Sequence, residues 1–281
     1  MTEAMIFLAP AFVLCLVIAS IHVYLGMHIL EREVIFVDLS LAQLAALGAT
    51  VAALLHDHEP GHDVSLITHA GALVFTVIGA AIFALFRKAR AHVSQEAVVG
   101  IVYAVGSALM MLALSRAPHG AERVEAMLVG TLLIATWDEV LFTTVVYAVI
   151  GAAQFALARR FIALSWQAEA TDRELPHAVL WDFLFYALFG IVITISVQLA
   201  GVLLVFSYLI VPAVITRLWS TRLPARLLAG WLVAAVASAL GLWASWSLDL
   251  PTGAAVVAGF GALFVAAIAV RALGSRAQRV S

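Results

Sequence analysis

The chain has 281 residues, of which 64% are hydrophobic and only 11% are charged. A soluble domain carries roughly 25% charged residues and could not cover its surface with so few polar groups. The composition therefore excludes a water-soluble protein and predicts one dissolved in lipid. The net charge of −2 gives no reason to expect a nucleic-acid partner.

Nine apolar stretches are long enough to be candidate membrane spans. In chain order they cover residues 5–27, 39–55, 66–86, 97–114, 140–157, 178–197, 201–216, 227–248 and 253–272. A further stretch at 124–136 is too short to cross and is typical of a re-entrant half-span. The sequence therefore predicts an all-α polytopic bundle of about eight to nine spans plus a short half-span, in a single transmembrane domain over residues 1–281.

Basic residues set the orientation of these spans. Consecutive spans cross the membrane in opposite directions. With this alternation, all Lys and Arg residues except Arg116 and Arg123 lie on the same side of the membrane. Because cytoplasmic loops carry the excess of positive charge, that side is cytoplasmic. The prediction is a multi-pass protein of the cell's inner membrane with its N-terminus outside and its C-terminus in the cytoplasm.

Two polar residues lie on one face of the second span. Asp38 stands at its cytoplasmic start, and Gln43 follows five residues later on the same helical face. Ionisable groups in spans are costly and usually face a cavity, so one interpretation makes the two residues the lining of a solute path. The alternative is that Asp38 caps the helix and stabilises its dipole.

Asp182 is another candidate for the path because it lies inside the sixth span. An unpaired carboxylate there costs about 2.5 to 3.5 kcal/mol on insertion scales, so it needs a partner or water. His177 is the nearest candidate partner, and the alternative is a shallow, hydrated position near the cytoplasmic face. Glu96, at the head of the fourth span, is expected to cap that helix and ranks second to Asp38 as a path residue.

The external loop between the second and third spans is the densest cluster of potential metal ligands. It contains His56, His58 and His62 together with carboxylates, a mixture that suits zinc or manganese. His58, Glu59 and His62 also match the His-Glu-x-x-His pattern of metalloproteases, but the proline and glycine between them break the helix that this site requires. We expect a loop that weakly collects cations or a solvated loop without a role, with an intramembrane metalloprotease as a remote alternative.

Three stretches carry motifs that appear in a recognisable order. They are residues 34–48 around Asp38, residues 96–103, and residues 201–253, the last including Pro212 and a basic segment. Together they resemble the permease subunits of zinc and manganese ABC importers, and the resemblance covers about residues 10–272. No phosphate-binding loop of the Gly-x-x-x-x-Gly-Lys-Ser/Thr type occurs, so any ATP must be bound by another chain.

The resemblance implies a homodimer of permeases around a central path, with cytoplasmic ABC ATPase subunits and an extracytoplasmic solute-binding protein as partners. The segment at about 213–226, which carries Arg217, Arg222 and Arg226, would be the element that couples to the ATPase. Pro212 is expected to end the span before this segment. The chain would then be a transport subunit rather than an enzyme, without a cofactor of its own.

Import of a divalent metal ion, zinc or manganese, is the function that the resemblance implies. Members of the family commonly have a histidine four residues after the aspartate of the second span, where this chain has Ala42. The loss of a nitrogen ligand leaves the identity of the metal open. The residues alone also allow an ion-coupled secondary transporter in which Asp38 and Asp182 are protonation sites.

Overall fold

The computed structural model describes residues 2–55, 66–87, 92–115, 130, 132–166 and 177–280. In these ranges the regular structure consists of ten α-helices and one 3-10 helix, without a β-strand. The helices are α1 Thr2–Arg32, α2 Val37–Leu55, α3 Leu66–Phe86, α4 Gln95–Leu114, α5 Trp137–Ala156, α6 Ala158–Trp166, α7 Ala178–Ala200, α8 Val202–Arg217, α9 Leu223–Leu248 and α10 Thr252–Val280, and the 3-10 helix is Leu132–Ile134.

Eight of the described helices are long and apolar enough to cross a membrane, namely α1 to α5, α7, α9 and α10. The remaining predicted span is α8, whose 16 residues extend over about 24 Å, less than the roughly 30 Å of a hydrocarbon core. All nine apolar stretches are therefore helical, and the prediction of an all-α polytopic bundle is confirmed. Most of the expected half-span at 124–136 lies outside the described residues.

The chain divides into two compact units, each built from separate segments. The first comprises Met1–Leu30, Leu128–Tyr147 and Leu199–Ser281, and it contains α8, α9, α10 and most of α1. In this unit Gly26 lies directly against α8, because a Cβ at that position would be 1.8 Å from the carbonyl oxygen of Leu209. Glycine permits the close backbone contact by which membrane helices gain van der Waals packing.

The second unit comprises Glu31–Met127 and Ala148–Gln198, and it contains α2, α3, α4, α6 and most of α7. Here α2 and α3 cross at Gly48 and Gly71, since a Cβ on Gly48 would lie 2.2 Å from the carbonyl oxygen of Gly71. Each unit thus has its own close helix crossing. The expectation of a single permease domain over residues 1–281 stays a prediction.

Pro212 does not end its helix, contrary to the expectation for the start of the coupling segment. Helix α8 continues through it to Arg217, and Pro212 is buried with its Cβ 3.6 Å from the position of a Cβ on Gly230 of α9. Membrane helices tolerate proline because neighbouring helices and local adjustment satisfy the backbone groups that proline leaves free. Residues 213–217 are therefore helical, and only residues 218–222 form the connection to α9.

Helix α6 is absent from the predicted elements, because the charges of Arg159 and Arg160 indicate a loop between two spans. Both arginines are exposed, whereas Phe161 and Leu164 are buried. This spacing makes α6 a short amphipathic helix. The Arg160 guanidinium lies 3.9 Å from the ring centre of Trp181, which attaches the helix to α7.

Candidate functional site

Asp38 lies inside the first turn of α2 and not at its capping position. Helix α2 begins at Val37, and the carbonyl of Phe36 accepts the first helical hydrogen bond, from the Ser40 N–H at 3.2 Å. Phe36 is therefore the N-cap residue. Asp38 lies in the first turn, where a carboxylate still favours the helix dipole, so this part of the alternative remains. Asp38 is only 1% exposed.

The Asp38 carboxylate has an unusual lack of partners for a buried charge. Among the described residues, no donor makes a hydrogen bond of ordinary geometry to either of its oxygens, although the N–H groups of Asp38 and Leu39 approach them. Nearly all buried polar groups in folded proteins are hydrogen-bonded, and an exception calls for an explanation. A buried carboxyl group with unmet acceptor oxygens is suited to a cation.

Glu96 faces the start of α2 and does not cap its own helix. The cap of α4 is Ser94, whose Oγ accepts the Ala97 N–H at 3.2 Å. The half-buried Glu96 instead directs its carboxylate to the backbone N–H groups of Ile35 and Phe36, and its Oε2 has no hydrogen-bond partner within the described ranges. The expectation that Glu96 caps α4 is thus wrong, because Ser94 already occupies that position.

Asp38 and Glu96 are two carboxylates at the start of α2, and we call them the facing pair. Asp38 lies in the first turn of α2, and Glu96 of α4 reaches the backbone just before that turn. A hydrogen bond from Ser40 Oγ to the Val99 carbonyl, 2.8 Å long, joins the two helices beside them. In the described part of the chain neither carboxylate belongs to an ion pair.

Gln43 extends the polar surface of α2 further along the helix, by about 7.5 Å at 1.5 Å per residue. It is 8% exposed, and its Oε1 has no hydrogen-bond partner among the residues described. Its Cβ lies 3.6 Å from the position of a Cβ on Gly106 of α4. Gln43 therefore lies against α4, and the helical face that Asp38 and Gln43 were expected to share stays a prediction. Their role in a transport path stays a prediction.

Asp182 has two partners that the sequence interpretation missed. Arg32 Nη1 donates to its Oδ1 at 2.7 Å, and Arg87 Nη1 donates to its Oδ2 at 2.5 Å. Asp182 is fully buried, so its carboxylate is not hydrated, although it lies near the start of α7. The side chain of His177 is exposed rather than paired with it. One signal was available: Arg32, Arg87 and the start of the sixth span all fall on the same predicted side of the membrane.

The side chain of Arg32 is held on several sides. Its Nε donates to Ser165 Oγ at 2.9 Å, and its guanidinium carbon lies 4.0 Å from the ring centre of Phe185. The carboxylate of Asp182 thus joins the ends of α1 and α3 to α7, and Arg32 extends the link to Ser165 of α6. Because both of its oxygens are engaged by arginines, Asp182 is less suited than Asp38 to bind a cation, and its assignment to the path stays a prediction.

The three arginines of the predicted coupling segment differ in exposure. Arg217 is the last residue of α8 and Arg222 is the N-cap residue of α9, and both are exposed. Arg226 is only 2% exposed and lies in the first unit. Two of the three guanidinium groups are therefore presented at the surface, and the coupling role stays a prediction.

The predicted external metal ligands His56, His58 and His62 lie outside the described residues. Within the described ranges, no group of three or more His, Cys, Asp or Glu side chains comes together to hold a metal ion. The facing pair of Asp38 and Glu96 is smaller than such a resident site.

Two known proteins are similar in sequence to this chain. A "Probable metal transport system membrane protein" of Chlamydia muridarum is 24% identical over 162 residues, which are 58% of this chain and 55% of that protein. The "Manganese transport system membrane protein MntC" of Listeria monocytogenes is 24% identical over 210 residues, 73% of this chain and 74% of that protein.

A solved structure shows the same fold. One chain of "PsaBC from Streptococcus pneumoniae in complex with Fab" aligns with a TM-score of 0.74 at 21% identity, covering 93% of this chain and 90% of that chain. The model of the family described as "ABC 3 transport family" matches residues 4–271, which is nearly the full length. The chain therefore belongs to the ABC 3 transport family.

Proposed function

We propose that this chain is the membrane-spanning permease subunit of an ATP-driven importer of a divalent metal ion. Membership of the ABC 3 transport family supports a transport subunit, and the names of the relatives refer to metal, manganese and iron transport. The observation that carries the proposal is the facing pair of Asp38 and Glu96 at the start of a membrane helix, where the buried Asp38 oxygens have no hydrogen-bond partner and neither residue has a positive partner among the described residues.

The energetics of the facing pair favour a divalent ion. Ionisable groups inside membrane helices are expensive and mark substrate pathways. Two ionised carboxylates supply two negative charges, which match the charge of one divalent cation. With only two charged ligands the ion is held weakly enough to leave, as conduction requires.

The donor atoms favour manganese over zinc. The carboxylates of Asp38 and Glu96 and the amide oxygen of Gln43 are all oxygen donors, which suit manganese and magnesium. Zinc prefers nitrogen or sulfur ligands. Ala42, which is buried one turn after Asp38, supplies no such ligand.

A cytoplasmic ATPase would bind at the connection between α8 and α9. Exposed Arg217 and Arg222 flank this connection, and Trp219 between them is 56% exposed. An exposed aromatic side chain with arginines beside it has the composition of a protein interface. A second copy of the chain and an extracytoplasmic solute-binding protein complete the proposed importer.

The orientation proposed for the chain places the C-terminus in the cytoplasm. The contacts of Asp182 support it, because they bring the end of α1, the end of α3 and the beginning of α7 to one end of the second unit. Alternate crossing with positive charge inside requires these three positions to share the cytoplasmic side. Cysteine labelling from either side of sealed vesicles would test the assignment.

The decisive experiment measures uptake of manganese(II) into proteoliposomes that contain the chain with its ATPase and are supplied with ATP. Asp38→Asn should lower uptake by about tenfold to a hundredfold, since altering the surroundings of a bound metal already costs that much. Asp138→Asn, which changes an exposed carboxylate at the start of α5, is the matched control and should be neutral. Full uptake by the isolated chain without ATP would refute the ABC importer and favour the ion-coupled carrier.

A further inference from the structure

We propose that the hydrogen bond between Gln95 and Tyr186 positions Glu96 against Asp38 and so sets the affinity of the path for its cation. This inference rests on the proposed function of the facing pair. It gives Gln95 and Tyr186 a role as positioning residues, which do not touch the ion.

The hydrogen bond fixes the first turn of α4. Gln95 is the first residue of α4, and its Nε2 donates to the Tyr186 hydroxyl of α7 at 2.8 Å. Both side chains are buried, Gln95 at 7% exposure and Tyr186 at 0%. Glu96 is the next residue, so a rotation of this turn about the axis of α4 would move its carboxylate directly. The contact with α7 prevents that rotation.

A second hydrogen bond holds α4 one turn further along, against α2. Ser40, two residues after Asp38, donates from its Oγ to the carbonyl of Val99 at 2.8 Å. Val99 is three residues after Glu96 and therefore one turn away on α4. The bond to Val99 fixes the distance between α2 and α4, and the bond to Gln95 fixes the rotation of α4. Together they determine where Glu96 faces Asp38.

The aromatic ring of Tyr186 is itself held in place. It meets Phe83 and Phe185 edge to face, with ring centres 5.8 and 5.5 Å away. The Arg32 guanidinium carbon lies 5.3 Å from its ring centre, and Arg32 is anchored in turn by Asp182. The direction of the Tyr186 hydroxyl is therefore set by rigid neighbours, which is what a positioning residue requires.

The expected effect is on affinity rather than on the maximal rate. Partners that orient metal ligands change metal affinity by about tenfold to a hundredfold when they are removed. Without the bond from Gln95, the facing pair keeps both carboxylates but loses their fixed separation. A higher concentration of the ion should restore occupancy, so the KM for manganese(II) rises while the maximal rate is retained.

The test compares Tyr186→Phe, Gln95→Ala and the double variant in the complete transporter in proteoliposomes. Each single variant should raise the KM for manganese(II) by about tenfold, with the maximal ATP-dependent rate unchanged. Because Arg32 also interacts with the Tyr186 side chain, the double variant is essential: if the hydrogen bond is the cause, its KM should equal that of the single variants. Tyr208→Phe, which removes an equally buried hydroxyl bonded to Ser238 in the first unit, is the control and should leave the KM unchanged.

The outcomes separate this inference from the proposed function. If Asp38→Asn impairs uptake while both single variants keep the KM of the unmodified protein, the facing pair stands and the positioning role fails. If the changes in the double variant add, Gln95 and Tyr186 act separately and the inference is overturned. If Asp38→Asn itself is without effect, the proposed function fails. A fall in maximal rate in step with the amount of folded protein would indicate a structural role only and would also overturn the inference.

Discussion

Arg32 and Asp182 are 150 residues apart in the chain, and their side chains form a buried ion pair 2.7 Å long. Arg87 contacts the other oxygen of the same carboxylate, so the three side chains form a buried triad. A buried charge is expensive unless its partners compensate it, and breaking such a pair costs more than the pair contributes. The triad therefore makes the second unit sensitive to the loss of a single charge.

Replacement of Asp182 by asparagine should destabilise the protein strongly. Both Arg32 and Arg87 would remain buried with their counter-charge removed, at a cost of about 3 to 5 kcal/mol. The measurement is thermal unfolding of the purified protein in detergent, where Asp182→Asn should lower the unfolding temperature. Asp138→Asn, at an exposed position, should not change it. An unfolding temperature equal to that of the unmodified protein would mean that the arginines find other partners.

Replacing the whole triad with apolar residues should restore much of this stability. A triple variant leaves no charge of the triad buried, and such replacements are often neutral or stabilising. It combines Arg32→Met, Arg87→Met and Asp182→Leu. The triple variant should therefore unfold at a higher temperature than Asp182→Leu alone. If the triple variant is the less stable of the two, the arginines stabilise the unit through contacts other than the triad, such as those of Arg32 with Ser165 and Phe185.

The sequence predicted the helices well and the contacts between them poorly. Spans such as α2 and α7 follow from runs of apolar residues, because the bilayer demands about 20 of them in succession. The partners of Asp182 could not be read in the same way, since they depend on how distant helices pack. Likewise Pro212 has a local tendency to end a helix, and packing against α9 overrides it.

The candidate site was predicted only in part. Asp38 and Gln43 were singled out as polar residues of α2, and both are buried, with Gln43 against Gly106 of α4. The approach of Glu96 to Asp38 was not predicted, because it requires α2 and α4 to lie side by side with their starts at one level. The hydrogen bond from Ser40 to Val99 sets that arrangement, and a serine in a span carries no signal that names its partner.

The crossing of α2 and α3 should not accept even one added methyl group. In Gly48→Ala the new Cβ would lie 2.2 Å from the Gly71 carbonyl oxygen, so the two helices must separate. A fall in the unfolding temperature is expected. Gly151→Ala on α5 is the control, because nothing lies within 4 Å of its Cβ position, and it should be neutral or stabilising by up to about 1 kcal/mol. Equal effects of the two substitutions would argue against a tight crossing.

Charge reversal at the connection between α8 and α9 should weaken binding of the ATPase. Arg222→Glu replaces an exposed cation with an anion at the proposed interface, and a mismatched charge there should lower the affinity by about tenfold or more. Co-purification and stimulation of ATP hydrolysis are the measurements. Arg159→Glu, which reverses the charge of an exposed arginine of α6, is the matched control. Normal stimulation in Arg222→Glu would remove the coupling role from this connection.

Metal preference should change when a nitrogen donor is added beside Asp38. Ala42 is 1% exposed and lies one turn after Asp38 on α2, so Ala42→His would place an imidazole near the facing pair. Imidazole is a better ligand for zinc than for the oxygen-preferring ions, so uptake of zinc should rise relative to that of manganese. Competition between the two metals in the proteoliposome assay measures the ratio.

The added bulk needs its own control, because a larger side chain in a packed interface is itself destabilising. Ala42→Leu adds bulk without a ligand and should lower the uptake of both metals in proportion. A ratio that is the same in Ala42→His and Ala42→Leu would show that position 42 does not face the ion. A shift toward zinc confined to Ala42→His would place the ion beside Asp38, where the facing pair and Gln43 offer oxygen donors among the described residues.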